Sequence, residues 1–194
     1  MNDKPNVTPF EESSHISNQH LDDKLISTQI KYLKFDLYRM ALYFGMRARF
    51  FDICGKSISI LSLAAGSAAY ASFIESNRFW FNIVAAIMVT LASLNIVVGF
   101  SRKCRDFEVL RSKTYSVIKR IEGKPYESID VLEVTSEKLS LIAEAPPAMA
   151  ALDMIAWQRT AKSLGEPIKN TPVVPLTHRL FAHVWSFSTY YIHR

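Results

Sequence analysis

The groups in this sequence that could carry out chemistry are acidic, thiol and imidazole side chains, and their spacing does not favour catalysis. Glu133, Glu137 and Glu144 recur at helical spacing, which is typical of a solvated helix face. Cys54 and Cys104 stand alone and the five histidines are scattered, so they form no metal-ligand pattern. The sequence also lacks a phosphate loop, a dinucleotide fingerprint, a nucleophile elbow and a zincin motif. We therefore expect a protein that is not an enzyme and that has no cofactor or metal site.

Two long uncharged runs are the strongest feature of the sequence. Ser57–Ile74 contains 18 uncharged residues, and Phe79–Ser101 contains 23. A helix of about 20 apolar residues crosses the hydrocarbon core of a bilayer, so the runs predict two membrane spans. Glu75–Arg78 is short enough to make the spans antiparallel neighbours. The alternative is two buried helices of a soluble bundle, but such helices usually have a polar stripe.

Basic residues flank the two runs on the side away from the short link. The juxtamembrane basic residues are Arg47, Arg49, Arg102, Lys103 and Arg105. Because basic residues stay on the cytoplasmic side, this asymmetry predicts a multi-pass membrane protein with both termini in the cytoplasm. The net charge of +5 is explained by this orientation and by attraction to an anionic bilayer, so no direct binding of nucleic acid is expected.

Small residues and one amide line the two predicted spans. Ser62 and Gly66 stand four residues apart, a spacing that lets helices approach closely in lipid. Ala92, Asn95 and Gly99 lie along one face of the second run. The Asn95 side chain either bonds within the hairpin or faces another subunit or a pore, because polar groups in membranes face partners or water. Two helices cannot enclose a channel, so a pore requires a homo-oligomer.

The remaining sequence divides into a tail, a helix and a larger helical region. Residues 1–20 predict a disordered N-terminal tail. Residues 21–56 predict an amphipathic helix on the cytosolic side, with a break or bend at Gly55 before the hairpin of residues 57–101. Residues 102–194 predict a cytosolic helical region. The apolar stripe of the first helix comprises Ile26, Ile30, Leu33, Leu37, Ala41, Phe44, Ala48 and Phe51. The fold class is all-α: a two-span transmembrane hairpin, an N-terminal amphipathic helix and a cytosolic helical bundle.

Three further helices are expected after the second run. The run itself should continue as a helix to Glu122, with a heptad-like apolar register. Helices are also predicted over Ser128–Ala145 and Ala148–Leu164. The heptad positions are Phe107, Leu110, Thr114, Val117 and Ile121, and the next helix is expected to bury Ile129, Leu132, Leu139 and Ile142. The aromatic-rich segment 176–194 either lies on the membrane surface or closes the bundle, and both alternatives stay open.

Three stretches occur in an order that is typical of one bacterial family. They are "YRMALYFGMRARFFDICGKSI" at Tyr38–Ile58, "GFSRKCRDFEVLRSKTYSVIKRI" at Gly99–Ile121 and "LIAEAPPAMAALDMIAWQR" at Leu141–Arg159. They resemble the lead into the first span, the exit from the second span and the later helices of the SLATT domain proteins (SMODS- and SLOG-associating two-transmembrane effectors). The resemblance extends from about Tyr32 to the C-terminus.

This resemblance implies a function that the residues alone do not give. A SLATT protein is expected to be the inner-membrane effector of an antiphage, abortive-infection system, which oligomerises and permeabilises or depolarises the membrane when a sensor triggers it. The implied partners are the lipid bilayer, further copies of the chain and a sensor protein encoded nearby, such as a nucleotide-signal synthase, a nucleotide-sensing domain or a reverse transcriptase. The alternative is a non-toxic two-span membrane scaffold that recruits a soluble partner.

Overall fold

The computed structural model describes residues 9–65, 78–125, 128–167 and 174–183. Within these ranges every regular element is a helix, which confirms the predicted helical character. The helices are α1 (Pro9–Ala65), α2 (Arg78–Val98), α3 (Phe100–Glu122), α4 (Val131–Glu144), α5 (Ala150–Ser163) and α6 (Leu176–Phe181). α1 begins inside the segment for which a disordered tail was predicted, and it runs through Gly55 without the predicted break.

The predicted transmembrane hairpin is wrong. Over the ranges that the structure describes, no helix combines the length and the apolar character needed to cross a membrane. The predicted location as a multi-pass inner-membrane protein is wrong on the same finding. The first uncharged run is described only to Ala65, where it forms the last turns of α1. The second is divided, because α2 ends at Val98 and Gly99 adopts φ 61°, a left-handed conformation that interrupts the helix before α3.

An antiparallel pair of helices, α1 and α3, holds much of the core. At one end the Tyr38 hydroxyl of α1 donates a 2.6 Å hydrogen bond to the Glu122 carboxylate of α3. At the other end Gly55 lies against Phe100. The predicted α1 stripe is buried from Ile30 to Phe51, whereas Ile26 is 39% exposed. The spacing of apolar residues therefore identified the buried face of α1 correctly along about six turns.

The buried face of α3 follows the predicted heptad-like register. All five predicted positions are buried, with Phe107 and Ile121 among the most enclosed. Thr114 is the polar residue among these five. Its buried hydroxyl is not left unsatisfied, because it donates a hydrogen bond to the Leu110 carbonyl at 2.8 Å. The predicted heptad-like register therefore identifies the buried face of α3.

The orientation of α4 differs from the sequence prediction. Asp130 caps the helix by accepting hydrogen bonds from two backbone N–H groups. The buried residues are Val134 and Leu141, while three of the predicted core residues are exposed: Leu132 (82%), Leu139 (59%) and Ile142 (48%). Glu137 and Glu144 pair with Arg120 and Lys113 of α3, and 34% and 47% of their side-chain area stays exposed. Glu133 is 54% exposed, so the acidic residues lie largely in solvent, as their spacing predicted.

α5 packs on α1 through small and aromatic residues. Ala151 and Ala156 are fully buried, and the Trp157 ring meets Phe35 edge-on at 5.8 Å between centroids. Beyond the loop, Val174 and Ala182 are also buried. The first part of segment 176–194 therefore lies in the bundle, and residues 184–194 fall outside the described ranges.

Replacing Leu37 tests the α1 core directly. Leu37 is fully buried, so Leu37→Ala should lower the free energy of unfolding by about 2–5 kcal/mol, measured by urea denaturation. Leu132→Ala is the matched control, because its side chain is 82% exposed and its loss should change stability by less than about 0.5 kcal/mol. Equal losses in the two variants would contradict the packing described.

Candidate functional site

An aromatic cluster lies between α1 and α3 near the end of the bundle. We define it as Phe44, Phe51, Phe100 and Phe107. The rings of Phe51 and Phe107 stack at 5.7 Å with an interplanar angle of 9°. Phe44 and Phe100 extend the cluster at centroid distances of 6.3 and 6.2 Å. Such pairs add to the stability gained from burying their area.

Arg47 places a positive charge beside this cluster. Its side chain is buried, with only 7% of the residue exposed. The guanidinium lies 5.0 Å from the centroid of Phe51 and 5.1 Å from that of Phe107. It also donates a 2.6 Å hydrogen bond to the His183 carbonyl oxygen. Ring faces and a carbonyl dipole thus take the place of a carboxylate, an environment that suits the weakly hydrated guanidinium.

Burial has an electrostatic consequence for Arg47. Desolvation lowers the pKa of the guanidinium from its ordinary value, although the group stays charged at neutral pH. Its Nε has no hydrogen-bond partner among the described residues. A pocket of about 540 Å³ opens beside it, lined also by Lys103, Phe107, Leu110 and Glu144. This pocket has binding groups of both charges and an apolar wall, and its lining residues include no serine, threonine or cysteine.

His183 brings the chain after α6 back to α1. Its imidazole stacks on Phe50 at 4.5 Å with an interplanar angle of 3°. Burial, followed by the nearby charge of Arg47, lowers the pKa of His183 to about 4. The ring is therefore neutral at pH 7 and can pack beside a buried cation.

The predicted basic residues do not form one site. Arg47 is buried, and Lys103 places its ammonium 5.6 Å from the Phe51 ring centroid. Arg49 is exposed and lines a different groove. Arg102 and Arg105 are exposed on α3. The structure thus brings Arg47 and Lys103 together at the aromatic cluster and leaves the other three apart from it.

The structure describes only some of the small residues and the amide that were predicted to line the two spans. Ser62 is half-buried in α1, and Gly66 lies outside the described residues. In α2, Ala92 is exposed and Asn95 is half-buried. Gly99 forms the turn between α2 and α3, where its N–H donates to the Asn95 carbonyl at 3.0 Å. Its role in the described structure is to permit the turn, and its proposed part in helix packing stays a prediction.

Exposed aliphatic side chains distinguish the end of α1 and most of α2. We call this surface the apolar arm, and its described residues are Ile53, Ile60, Leu61, Leu63, Ile87, Val89, Ile96 and Val97, each at least half exposed. The values reach 80% for Leu63 and 82% for both Ile96 and Val97. α2 has no charged residue after Arg78. Apolar surface of this kind commonly marks an interaction site.

The two cysteines do not resemble catalytic thiols. Both are free and half-buried. Burial raises the pKa of the Cys54 thiol, and burial together with Glu108 and Asp52 raises that of Cys104. The reactive thiolate form is therefore disfavoured at neutral pH. In the described part of the chain, no three metal-ligating side chains lie close enough together to hold an ion.

Comparison with protein-family models, with curated proteins and with solved structures finds no match to this chain. The resemblance to SLATT proteins therefore stays a prediction from the three stretches that carry it.

Two arginines that sequence reasoning missed, Arg111 and Arg159, share the groove of Arg49. Their positions on α3 and α5 gave no local motif. The sequence feature that could have pointed to this groove is Gly45, since a glycine inside a helix often allows another group to pack closely against it.

The buried imidazole predicts a pH dependence of stability. The folded-state pKa of His183, about 4, lies below its ordinary value of 6.5, so the unfolded chain binds the extra proton first. Its contribution to stability is complete above about pH 6.5 and is lost as the pH falls from there towards about 4. Urea unfolding midpoints measured at about pH 7 and about pH 5 should show this decrease.

His183→Gln should show a smaller decrease over the same interval, because it removes the titrating group. His178→Gln is the control, since it removes a histidine from α6 without touching the Phe50 ring stack. A decrease of the same size in His183→Gln as in the wild type would contradict the assignment.

Proposed function

We propose that this chain is a non-enzymatic effector that acts by assembling with further copies of itself through the apolar arm. The observation that carries the assembly is the run of exposed aliphatic side chains on α1 and α2. α2 packs chiefly against α1, so its remaining surface is available to another molecule. Covering such surface is the main driving force of protein association.

Three hydroxyls of the arm do not oppose burial. The hydroxyls of Ser59, Thr90 and Ser93 each donate to a carbonyl four residues earlier in their own helix, at 2.8–2.9 Å. These hydroxyls already have a hydrogen-bond partner, so covering them with a neighbouring subunit leaves no donor unsatisfied. The arm can therefore enter an interface without a polar partner opposite these groups.

A second copy of the chain is the occupant that this surface favours. The described arm lacks the pattern of charges by which a protein selects a different partner. An identical chain presents the same apolar surface, and a two-fold arrangement pairs that surface with itself. The proposal thus keeps the expected homo-oligomer.

The biological role rests on the sequence resemblance alone. In that reading, a sensor protein encoded nearby triggers assembly during phage infection, and the assembled chains arrest the growth of the cell. The absence of a catalytic motif in the sequence supports an action by assembly rather than by turnover.

A non-toxic scaffold is the second candidate. It is favoured by the pocket of about 540 Å³ beside Arg47, whose apolar wall and mixed charges would suit a segment of a partner protein. A scaffold would bind its partner without arresting growth.

Charge introduced on the arm separates these possibilities. Val97→Asp places a carboxylate at an 82% exposed position of α2, and it should weaken self-association by at least about tenfold, because burying an unpaired carboxylate is costly. The mass in solution, measured by light scattering over a dilution series, reports the change. Leu132→Asp on α4 is the matched control, since Leu132 is equally exposed and lies outside the arm.

The same variants test the effector role in cells. Wild-type protein produced with its neighbouring gene should arrest growth, Val97→Asp should not, and Leu132→Asp should behave as wild type. A voltage-sensitive dye in the same cultures reports whether arrest includes depolarisation, which the resemblance implies. A wild-type chain that stays monomeric even when it is produced with its neighbouring gene would contradict the assembly, whereas an assembled chain that never arrests growth would favour the scaffold.

A further inference from the structure

A second surface is formed by arginines from three helices. A groove of about 690 Å³ lies where α1, α3 and α5 meet, and it is lined by Arg49, Arg111 and Arg159, one from each helix. All three are exposed. The volume is within the range of small-molecule sites, which is about 300–1,000 Å³.

The arginines of this groove differ from the paired cations elsewhere in the bundle. Arg39 pairs with Asp153 at 3.3 Å, Lys113 with Glu144 at 2.6 Å, and Arg120 with Glu137. In the part of the chain that the structure describes, none of the three groove arginines has a carboxylate within 4.0 Å. Their positive charge is therefore not neutralised by the bundle itself.

The acidic residues of the groove leave a positive excess. Asp52 forms an ion pair with Lys56 at 2.7 Å, so it is already compensated. Glu108 is the other acidic residue on the groove wall. Three arginines therefore face one uncompensated carboxylate among the groove residues. An anion entering the groove meets attraction rather than repulsion.

Gly45 gives Arg111 its place in the groove. A Cβ at position 45 would lie 3.2 Å from the Arg111 Nε and 3.3 Å from its Cζ, closer than ordinary packing. A glycine inside a helix costs about 0.5–1 kcal/mol relative to alanine. Because Gly45 has no side chain, the Arg111 guanidinium can lie against α1. Its Cζ also lies 5.5 Å from the ring centroid of Tyr115, one turn further along α3.

We propose that this groove binds a small ligand through its phosphoryl groups. One guanidinium fork satisfies both oxygens of a carboxylate, whereas three forks from three helices offer donors for the larger oxygen set of a phosphate ester. Arg159 already directs an N–H towards the Met46 sulfur at 3.4 Å, a weak acceptor that a phosphoryl oxygen would replace. This proposal is independent of self-assembly through the apolar arm.

Binding of this kind would stabilise the bundle. The ligand would connect α1, α3 and α5, and a ligand that binds only the folded state raises stability by mass action. Because the arginines are exposed, the affinity should fall as salt is added.

Calorimetric titration of the full chain with inorganic pyrophosphate tests the proposal. Arg49→Gln, Arg111→Gln and Arg159→Gln should each weaken binding by at least about tenfold. Gly45→Ala should weaken it too, because the added methyl displaces Arg111, and Arg111→Lys should fall between wild type and Arg111→Gln. Acetate at the same ionic strength is the probe control and should not bind.

The triple groove variant combines Arg49→Gln, Arg111→Gln and Arg159→Gln, and a second triple variant with the same loss of charge provides the protein control. Combining Arg102→Gln, Arg105→Gln and Lys124→Gln removes three exposed cations outside the groove, and it should bind pyrophosphate as the wild type does. Thermal unfolding without ligand confirms that each variant is folded. Equal weakening by this control and by the triple groove variant would overturn the proposal.

Two sources of the phosphoryl group are distinguished by a parallel assay. Vesicles of phosphatidylcholine with or without phosphatidic acid are sedimented with wild-type protein and with the triple groove variant. Binding of pyrophosphate assigns a soluble phosphate ester, and binding only to phosphatidic-acid vesicles, lost in the groove variant, assigns a lipid headgroup. Binding to neither would overturn the proposal.

Discussion

The apolar stripe of α1 must be covered along about six turns, and no single neighbour covers all of it. α3 lies against the later part, from Tyr38 to Gly55, in antiparallel orientation. α5 and the segment after it cover the earlier part, where Phe35 meets Trp157. Hydrophobic burial along this one helix therefore decides where α3 and α5 lie, whereas α4 also packs on α3 and α6 packs on α5.

Arg47 is the exception inside this apolar seam. A buried cation without a carboxylate is costly unless other groups replace its hydration. Two phenylalanine rings and the carbonyl of His183 do so here. The segment after α6 is thereby tied to α1, and its neutral imidazole packs on Phe50. The end of the bundle thus depends on a polar interaction that only the surrounding aromatic cluster makes favourable.

The two candidate surfaces differ in chemistry in a way that suits different partners. The apolar arm is uncharged along its described part of α2, and its hydroxyls are bonded internally, so it favours contact with another apolar surface. The groove between α1, α3 and α5 carries unneutralised arginines, so it favours an anion. Both surfaces include residues of α1, and one long helix could therefore connect events at the groove with events at the arm.

The sequence by itself determined the helical character of the chain and the buried faces of α1 and α3, because a period of 3.6 residues is a local property that Leu37 or Val117 reveals without knowledge of a partner. It could not determine the face of α4, since Leu132, Leu139 and Ile142 compete with Val134 and Leu141 for burial and only packing against the other helices selects between them. The membrane prediction rested on a count of uncharged residues, which does not reveal the turn at Gly99 or the continuation of α1 through Gly55. The burial of Arg47 and the meeting of Arg49, Arg111 and Arg159 were decided only by the tertiary structure, because packing brings together residues that are 48 to 110 positions apart in the chain.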